Sequence, residues 1–336
     1  MLLKAAWGPI EEVAKAFGIF LRECRAIRSI YRITDVFGRS YALKPFRLGI
    51  SSLLLTVELH QTVAGDCPGL LPRLVATTGG EKFLFFWGTR YLCLEWVQGA
   101  CLDYLRWSDR RRALQAVALW RQAARSRTVP KSLRVCQRRQ ELWEGRLLEL
   151  ERCRRLARAA GTAFSRVYLE AWDYYYAQGS RALARLLDGP YQQLAALAAA
   201  EGRICHGDWA HHNLLLRPGG GLTILDLEYL CGDLPLQDLA DLLRRFLDLD
   251  GGDLRFISTY FKWAKELGTL LPEDAEVLAA LCSFPEHYWI LGRQYFIERL
   301  SYSEGYWLQR FKRKVPPPGL WDRMLAELFR AAQGRG

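Results

Sequence analysis

The sequence predicts an α+β protein in two lobes, a small β-rich lobe over residues 1–99 and a mainly helical lobe over 100–336. Three observations carry this. Strand-like runs crowd the stretch before Gly99, including Ser29 to Ile33, Tyr41 to Phe46 and Tyr91 to Val97. From Leu102 to about Ala200, and again from Leu254 to Ala332, apolar residues recur at helical spacing. At 336 residues and 50% hydrophobic content, the chain has enough apolar material for two cores.

Taken in order, residues 1 to about 22 read as a helix through Ile10, Val13, Phe17 and Phe20, and the strand pattern begins near Ile27. Gly38 marks the turn of a hairpin whose second strand carries Lys44. The apolar run Ser51 to Ala64 reads as a helix with Glu58 near its middle, and Leu70 to Glu95 returns to β structure. Leu114, Val117, Ala118 and Trp120 form a helical stripe. Arg121 to Arg166 reads as an amphipathic helix with a cationic face. Leu169 to Leu187 reads as a packed helix whose Trp172, Tyr174, Tyr175 and Tyr176 belong to a core. A new helix starts directly after Gly232-Asp233-Leu234-Pro235 with Asp238 in its first turn, where an acid suits the helix dipole. Pro316, Pro317 and Pro318 break the C-terminal helices before the last one.

Composition narrows the function classes. Lys and Arg exceed Asp and Glu by 47 to 36, and the pI near 9.3 favours anionic partners or a solvated basic face. No nucleic-acid-binding module is recognisable, so nucleic acid is not expected as a partner. Nine scattered cysteines without a Cys-x-x-Cys pair read as reduced thiols of a cytoplasmic protein. Glu11, Glu12 and Lys15 interrupt the N-terminal apolar residues, so no secretory signal is expected, and no uncharged run is long enough to span a bilayer.

The chemistry concentrates between Ile204 and Tyr229. His206-Gly207-Asp208 is followed by Asn213, a short strand Leu214 to Leu216, a turn on Pro218 and three glycines, and a second apolar strand ending at Asp226. Two antiparallel strands bring the polar residues together. Phosphoryl transfer from ATP needs an acceptor for the attacking hydroxyl's proton and oxygen ligands for magnesium. Asp208 suits the first task, and Asn213 and Asp226 carry the hard oxygen atoms magnesium prefers. The competing reading is a hairpin whose Asp and Asn satisfy turns.

Lys44 suits a strand-borne lysine that reaches the nucleotide phosphates, steadied by Glu58 of the next helix, although Gln61 can share that helical face. Pro45 directly after it fits a strand end or an edge. One part is missing: the stretch Phe20 to Ile30 holds no glycine, so no glycine-dense loop is available to fold backbone amides over phosphates.

These motifs resemble the protein-kinase-like superfamily that includes aminoglycoside and choline phosphotransferases, with its catalytic loop His-Gly-Asp-x-x-x-x-Asn. The resemblance implies a two-lobed protein-kinase-like fold using ATP and Mg2+. It makes Asp208 the catalytic base, Asn213 and Asp226 the metal ligands, His206 a packing residue and Asp238 a support of the catalytic loop from below. It also puts the adenine edge at the backbone of Glu95 and Val97, where a plain core strand fits the residues equally. Gly207 stands where protein kinases of the Arg-Asp type carry an arginine, and about ten residues separate Asp226 from the next helix. Both features point away from a peptide substrate and toward a small molecule or no substrate at all.

Within that superfamily the chain resembles the CotS family of endospore coat proteins. The resemblance rests on the basic helix ending in Leu142 to Leu156, on Ile-Leu-Asp-Leu-Glu-Tyr with Asp-Leu-Pro-Leu-Gln-Asp-Leu, and on the Phe284-Pro-Glu-His-Tyr-Trp289 block. It implies synthesis in the mother-cell cytoplasm, deposition on the spore coat, other coat proteins as partners, and either a phosphotransferase of a small molecule or coat glycan or a structural scaffold retaining the kinase fold.

Overall fold

The structure is a computed structural model that describes residues 8–126, 129–249 and 253–334. Helix α1 (Gly8–Ala16) ends before Gly18, whose φ of +71° suits glycine, and the chain turns into strand β1 (Leu21–Ile27). The helix therefore ends earlier than the sequence pattern suggests, and residues 1–7 of that pattern lie outside the described residues. The pattern hides β1 because its side chains are exposed or only half-buried, so no run of apolar residues marks it.

Strands β2 (Ile30–Asp35) and β3 (Ser40–Phe46) form the expected hairpin, with Gly38 at φ +84° in its turn. Helix α2 (Ile50–Asp66) follows, then the short β4 (Leu74–Val75) and β5 (Leu84–Phe86) and the longer β6 (Thr89–Glu95). These strands form one antiparallel sheet in the order β1-β2-β3-β6-β4, with β5 also pairing β6. Pro45 sits opposite Tyr91 of β6, beyond Leu43, the last β3 residue paired with β2, and one residue before β3 ends, the strand-end position expected of it.

The chain leaves this sheet after Glu95 and enters the helical part through β7 (Ala100–Cys101). Gly99 is required there, because a Cβ would stand 2.8 Å from the Leu216 carbonyl oxygen. Helix α3 (Trp107–Ala123) is followed by α4 (Arg139–Ala160), α5 (Ala163–Asp188) and α6 (Tyr191–Ala200). The segment from Arg121 to Arg166 is thus not one helix. Gly161, in the left-handed conformation, ends α4, and the Thr162 side chain accepts from the Ser165 amide to cap α5. Much of its positive charge is spent inside the fold: Arg139 pairs with Asp233, Arg146 lies 4.1 Å over Trp289 and Arg154 lies 4.0 Å over Trp172.

Four short strands then frame the centre: β8 (Ile204–Cys205), β9 (Leu214–Leu216), β10 (Leu222–Ile224) and β11 (Cys231–Gly232). Strand β10 pairs β9, which also pairs β7, and β11 pairs β8. Helices α7 (Leu236–Leu249), α8 (Arg255–Glu266), α9 (Ala275–Cys282), α10 (Glu286–Gly292), α11 (Glu304–Lys314) and α12 (Pro318–Ala332) complete the chain.

The principal core joins the helices around Trp120, Trp143, Tyr168, Phe246 and Trp307. Helix α2 links the two halves. Its Leu55, Leu59 and Val63 pack into that core, while Leu53 and Val57 pack with Phe46 and Leu92 of the sheet. A change in the tilt of α2 would be felt on both sides. Among the described residues no helix is long and apolar enough to cross a membrane.

Candidate active site

Two loops meet at the site, residues 206–213 between β8 and β9 and residues 225–230 between β10 and β11. Each is clamped at both ends, since β8 pairs β11 and β9 pairs β10. Hydrogen bonds tie them further. Leu225 N–H donates to the Asn213 carbonyl (2.8 Å), and the buried His206 spans between Asp208 and Leu225. Its Nδ1 accepts from the Asp208 amide (3.2 Å), so Nε2 carries the proton and donates to Leu225 O (2.9 Å). Burial pushes the imidazole pKa down, in keeping with this neutral tautomer.

Gly207 is dictated by geometry. Its φ is +77°, and a Cβ there would stand 2.5 Å from the Tyr229 carbonyl oxygen. Beneath it Asp238, buried at the start of α7, accepts from the amides of His206 (2.9 Å) and Gly207 (3.1 Å). Burial pushes its carboxyl up to about 7 against the pull of those N–H donors. Tyr104 fixes the far side by donating to Trp209 O (2.8 Å).

Asp208, with 20% of its side chain exposed, is gripped at both oxygens. Asn213 Nδ2 donates to Oδ2 (2.9 Å), and Arg245 of α7 donates to Oδ1 (2.7 Å) while its Nε donates to Asp241 (2.8 Å). Opposite lies Lys44, buried on β3, whose ammonium pairs with Asp226 and with Glu228 (3.1 Å). Asp226 holds a left-handed φ of +61°, costly for a residue with a side chain and found most often at working sites. Thr56 of α2 donates to Leu227 O (3.3 Å), fastening that helix to the same loop.

One sequence expectation is corrected. The ion-pair partners of Lys44 are Asp226 and Glu228, not Glu58. The face of α2 turned to the site carries Thr56 and His60, four residues apart, and Glu58 between them points elsewhere. It lines a separate cavity of about 970 Å³ with Arg125, Arg134 and Arg203.

At the end of β6, Trp96 N–H donates to Ser40 O (3.1 Å), so strand alternation turns the polar groups of Glu95 to the opposite edge. There the Glu95 amide meets Arg73 O (2.9 Å). Val97 lies half-buried in the crossing to β7. In place of a glycine loop, β1 and β2 are joined by the two-residue turn Arg28-Ser29.

The donor set fits magnesium. With the Asn213 amide nitrogen committed to Asp208, its amide oxygen is left over, and Asp226 and Glu228 add carboxylates on the same loop pair. Among the described residues no three His, Cys, Asp or Glu side chains converge as a closed metal cage. Magnesium suits such an open site, since it commonly takes one or two carboxylates together with phosphates and water.

Residues 26–268 match the model of the APH phosphotransferase enzyme family. The chain belongs to that family. Among solved structures, the chain superposes on an aminoglycoside phosphotransferase from Alicyclobacillus acidocaldarius with a TM-score of 0.80 at 18% identity, covering 96% of both chains. A spectinomycin phosphotransferase in complex with ADP and spectinomycin gives 0.60 at 11% identity, over 95% of this chain and 97% of that one. An amicoumacin kinase in complex with AMP-PNP and Ca2+ gives 0.54 at 15%, over 96% and 95%. At these identities the likenesses establish the fold: the α+β, two-lobed kinase-like architecture expected from the sequence.

Arg245, Asp241, Thr56 and His60 escaped the sequence reading. A signal existed for two of them. Asp238, Asp241 and Arg245 recur at three and four residues on one face of α7, the face that meets the loop.

Proposed function

We propose that this phosphotransferase transfers the γ-phosphoryl group of Mg-ATP to a hydroxyl of a small molecule or coat glycan. Residues 1–99 would hold the nucleotide and residues 100–336 the catalytic loop. One observation carries the reading: the carboxylate of Asp208 is oriented from both sides by Arg245 and Asn213, on the loop pair whose Asp226 and Glu228 meet Lys44. The ADP bound to the spectinomycin enzyme and the AMP-PNP and Ca2+ bound to the amicoumacin kinase support a nucleotide and a divalent cation here as well.

In this reading Asp208 takes the proton of the acceptor hydroxyl as its oxygen forms a bond to the γ-phosphorus and the bond to the leaving ADP oxygen breaks. Asn213 and Asp226 would hold Mg2+, which when bound neutralises charge on the phosphate oxygens. Lys44 is the cation that meets the α- and β-phosphates, exchanging part of its contact with Asp226 for phosphate oxygen. Glu95 and Val97 offer backbone to the adenine edge.

The sequence blocks of the CotS type further support a place on the endospore coat, among other coat proteins, after synthesis in the mother cell. A second reading, a coat scaffold with little catalysis, is favoured by the Arg28-Ser29 turn standing where a glycine loop would wrap phosphate.

A thermal shift with Mg-ATP, run beside Asp226→Ala, tests the site. Ligand at a hundredfold excess over Kd adds about 2.7 kcal/mol of stability. A rise in the wild type that is lost in a variant with the same ligand-free melting is expected. No rise under saturating Mg-ATP would remove the enzyme reading and leave the scaffold. For the coat, a fluorescent fusion in a sporulating bacterium should ring the spore; diffuse mother-cell fluorescence to the end of sporulation would exclude that location.

A further inference from the structure

The cavity that Glu58 lines has no part in phosphoryl transfer, yet at about 970 Å³ it has the volume of a small-molecule pocket. It lies between the two supports of the active site. The first is α2, whose Glu58, Thr62 and Asp66 stand four residues apart on the face turned to the cavity. Thr56 of the same helix holds Leu227 O, next to Asp226. The second support is the pairing of β8 with β11, which clamps the loops carrying Asp208 and Asp226.

The cationic part of the lining belongs to that clamp. Arg125, just after α3, forms a backbone bridge to Arg203, which directly precedes β8. Arg134 bridges Gly232 of β11, and the next amide, of Val135, donates to Gly232 O (2.8 Å). Backbone pairing thus fixes where both arginines stand.

The charges are left unmatched. Among the described residues the side chains of Glu58, Asp66 and Arg125 make no hydrogen bond or ion pair, and Arg134 uses only Nε, donating to Val129 O (2.9 Å). Carboxylates and guanidiniums line one cavity without meeting. A simple anion entering it would face the acids of α2, and a simple cation would face the arginines, so the lining selects a molecule that carries both signs.

We propose that this cavity binds a small zwitterion, its ammonium on Glu58 and Asp66 and its carboxylate on Arg125 and Arg134, and that the ligand braces α2 against the clamp of β8 and β11. Guanidinium forks match a carboxylate with two N–H donors at once. A braced α2 holds Thr56 on Leu227 O, so occupancy tightens the Lys44 and Asp226 side of the site. The effect on nucleotide rests on the phosphotransferase reading, whereas the zwitterion site stands without it.

Calorimetric titration of the full-length protein with 4-aminobutanoate, 6-aminohexanoate and 8-aminooctanoate, beside hexanoate and hexylamine, tests the site. At least one amino acid of the series should bind, and the two singly charged compounds should bind at least about tenfold more weakly. Glu58→Gln and Arg125→Gln sever no contact of the fold and should melt as the wild type does. Each should weaken amino-acid binding about tenfold, the scale of one charge-assisted hydrogen bond. Saturating amino acid should raise the wild-type affinity for Mg-AMP-PNP by about fivefold or more, a usual size for coupling between two sites. No binding by any member of the series, or binding that both variants retain in full, would overturn the site. Binding that leaves Mg-AMP-PNP affinity unchanged would overturn the brace. A wild type that takes the amino acid but no nucleotide would leave the zwitterion site standing and remove the phosphotransferase reading.

Discussion

Arg245 donates to Oδ1 of Asp208 at 2.7 Å and, through Nε, to Asp241 at 2.8 Å, so a single guanidinium ties the Asp208 loop to helix α7. The two carboxylates on α7 divide the work. Asp238 holds the backbone of the loop, and Asp241 holds the arginine that orients its side chain. Removing Arg245 frees one oxygen of Asp208 while leaving Lys44 and Asp226 in contact. We expect Arg245→Ala to lower turnover by about ten- to a hundredfold with nucleotide affinity unchanged, because misplacing a reacting group by an ångström costs on that order. Steady-state kinetics beside Mg-ATP titration check this. Unaltered kcat would show that Asn213 alone suffices.

Gly207→Ala sets a side chain against the Tyr229 carbonyl in a left-handed backbone. Adding the left-handed penalty of roughly 1–2 kcal/mol to the clash, destabilisation should reach about 2 kcal/mol or more. Urea unfolding measures it, and a loss below about 0.5 kcal/mol, the scale of ordinary surface substitutions, would mean that the loop yields without cost.

Arg139 and Asp233 form an ion pair with 6% and 1% exposure, between the start of α4 and the approach to α7. Asp233 also accepts from the Leu234 amide (2.8 Å). Asp233→Ala strands a buried guanidinium and should cost about 3–5 kcal/mol, whereas the pair Asp233→Ala with Arg139→Met should regain much of it. A double variant no more stable than the single one would contradict this origin of the loss.

Local chemistry explains which parts of the site could be read from the chain. The hairpin between Asn213 and Asp226 is visible because its strands are apolar and its turn is built from proline and glycine, so the polar ends must converge. Lys44 is visible because it interrupts an otherwise apolar strand. What stayed hidden depends on how distant elements rotate against each other. A helix-centred glutamate suggests a partner for Lys44, yet the packing of Leu55 and Leu59 turns Thr56 and His60 inward and Glu58 away. The basic segment suggests a cationic surface, yet aromatic rings and carboxylates on α5, α10 and the approach to α7 absorb several of its arginines. Arg245 lies 37 positions from Asp208, and only the return of α7 beneath the loop joins them.

His60 supplies a pH dependence of definite sign. It is buried on α2 with Nδ1 3.0 Å from the Pro72 carbonyl oxygen, which it reaches as a donor. Burial, with the charge of Lys44 adding to it, pushes its pKa down to about 4. In the unfolded chain the imidazole titrates near 6.5, so between about pH 6.5 and 4 the unfolded state binds a proton that the folded state refuses. Stability from this group is complete above pH 6.5 and is lost as pH falls through that window, by roughly 3 kcal/mol at the acid end. His60→Gln keeps a donor for Pro72 and cannot titrate. Its melting temperature should therefore fall less than that of the wild type between pH 7 and pH 5, and parallel curves for the two proteins would mean that other groups carry the acid sensitivity. Because α2 bears Thr56 against Leu227 and spans both halves of the molecule, protonation of His60 should also loosen the Lys44 side of the site. In the folded protein that protonation sets in only near pH 4, so nucleotide affinity should decline as pH approaches 4 in the wild type and hold steadier in His60→Gln.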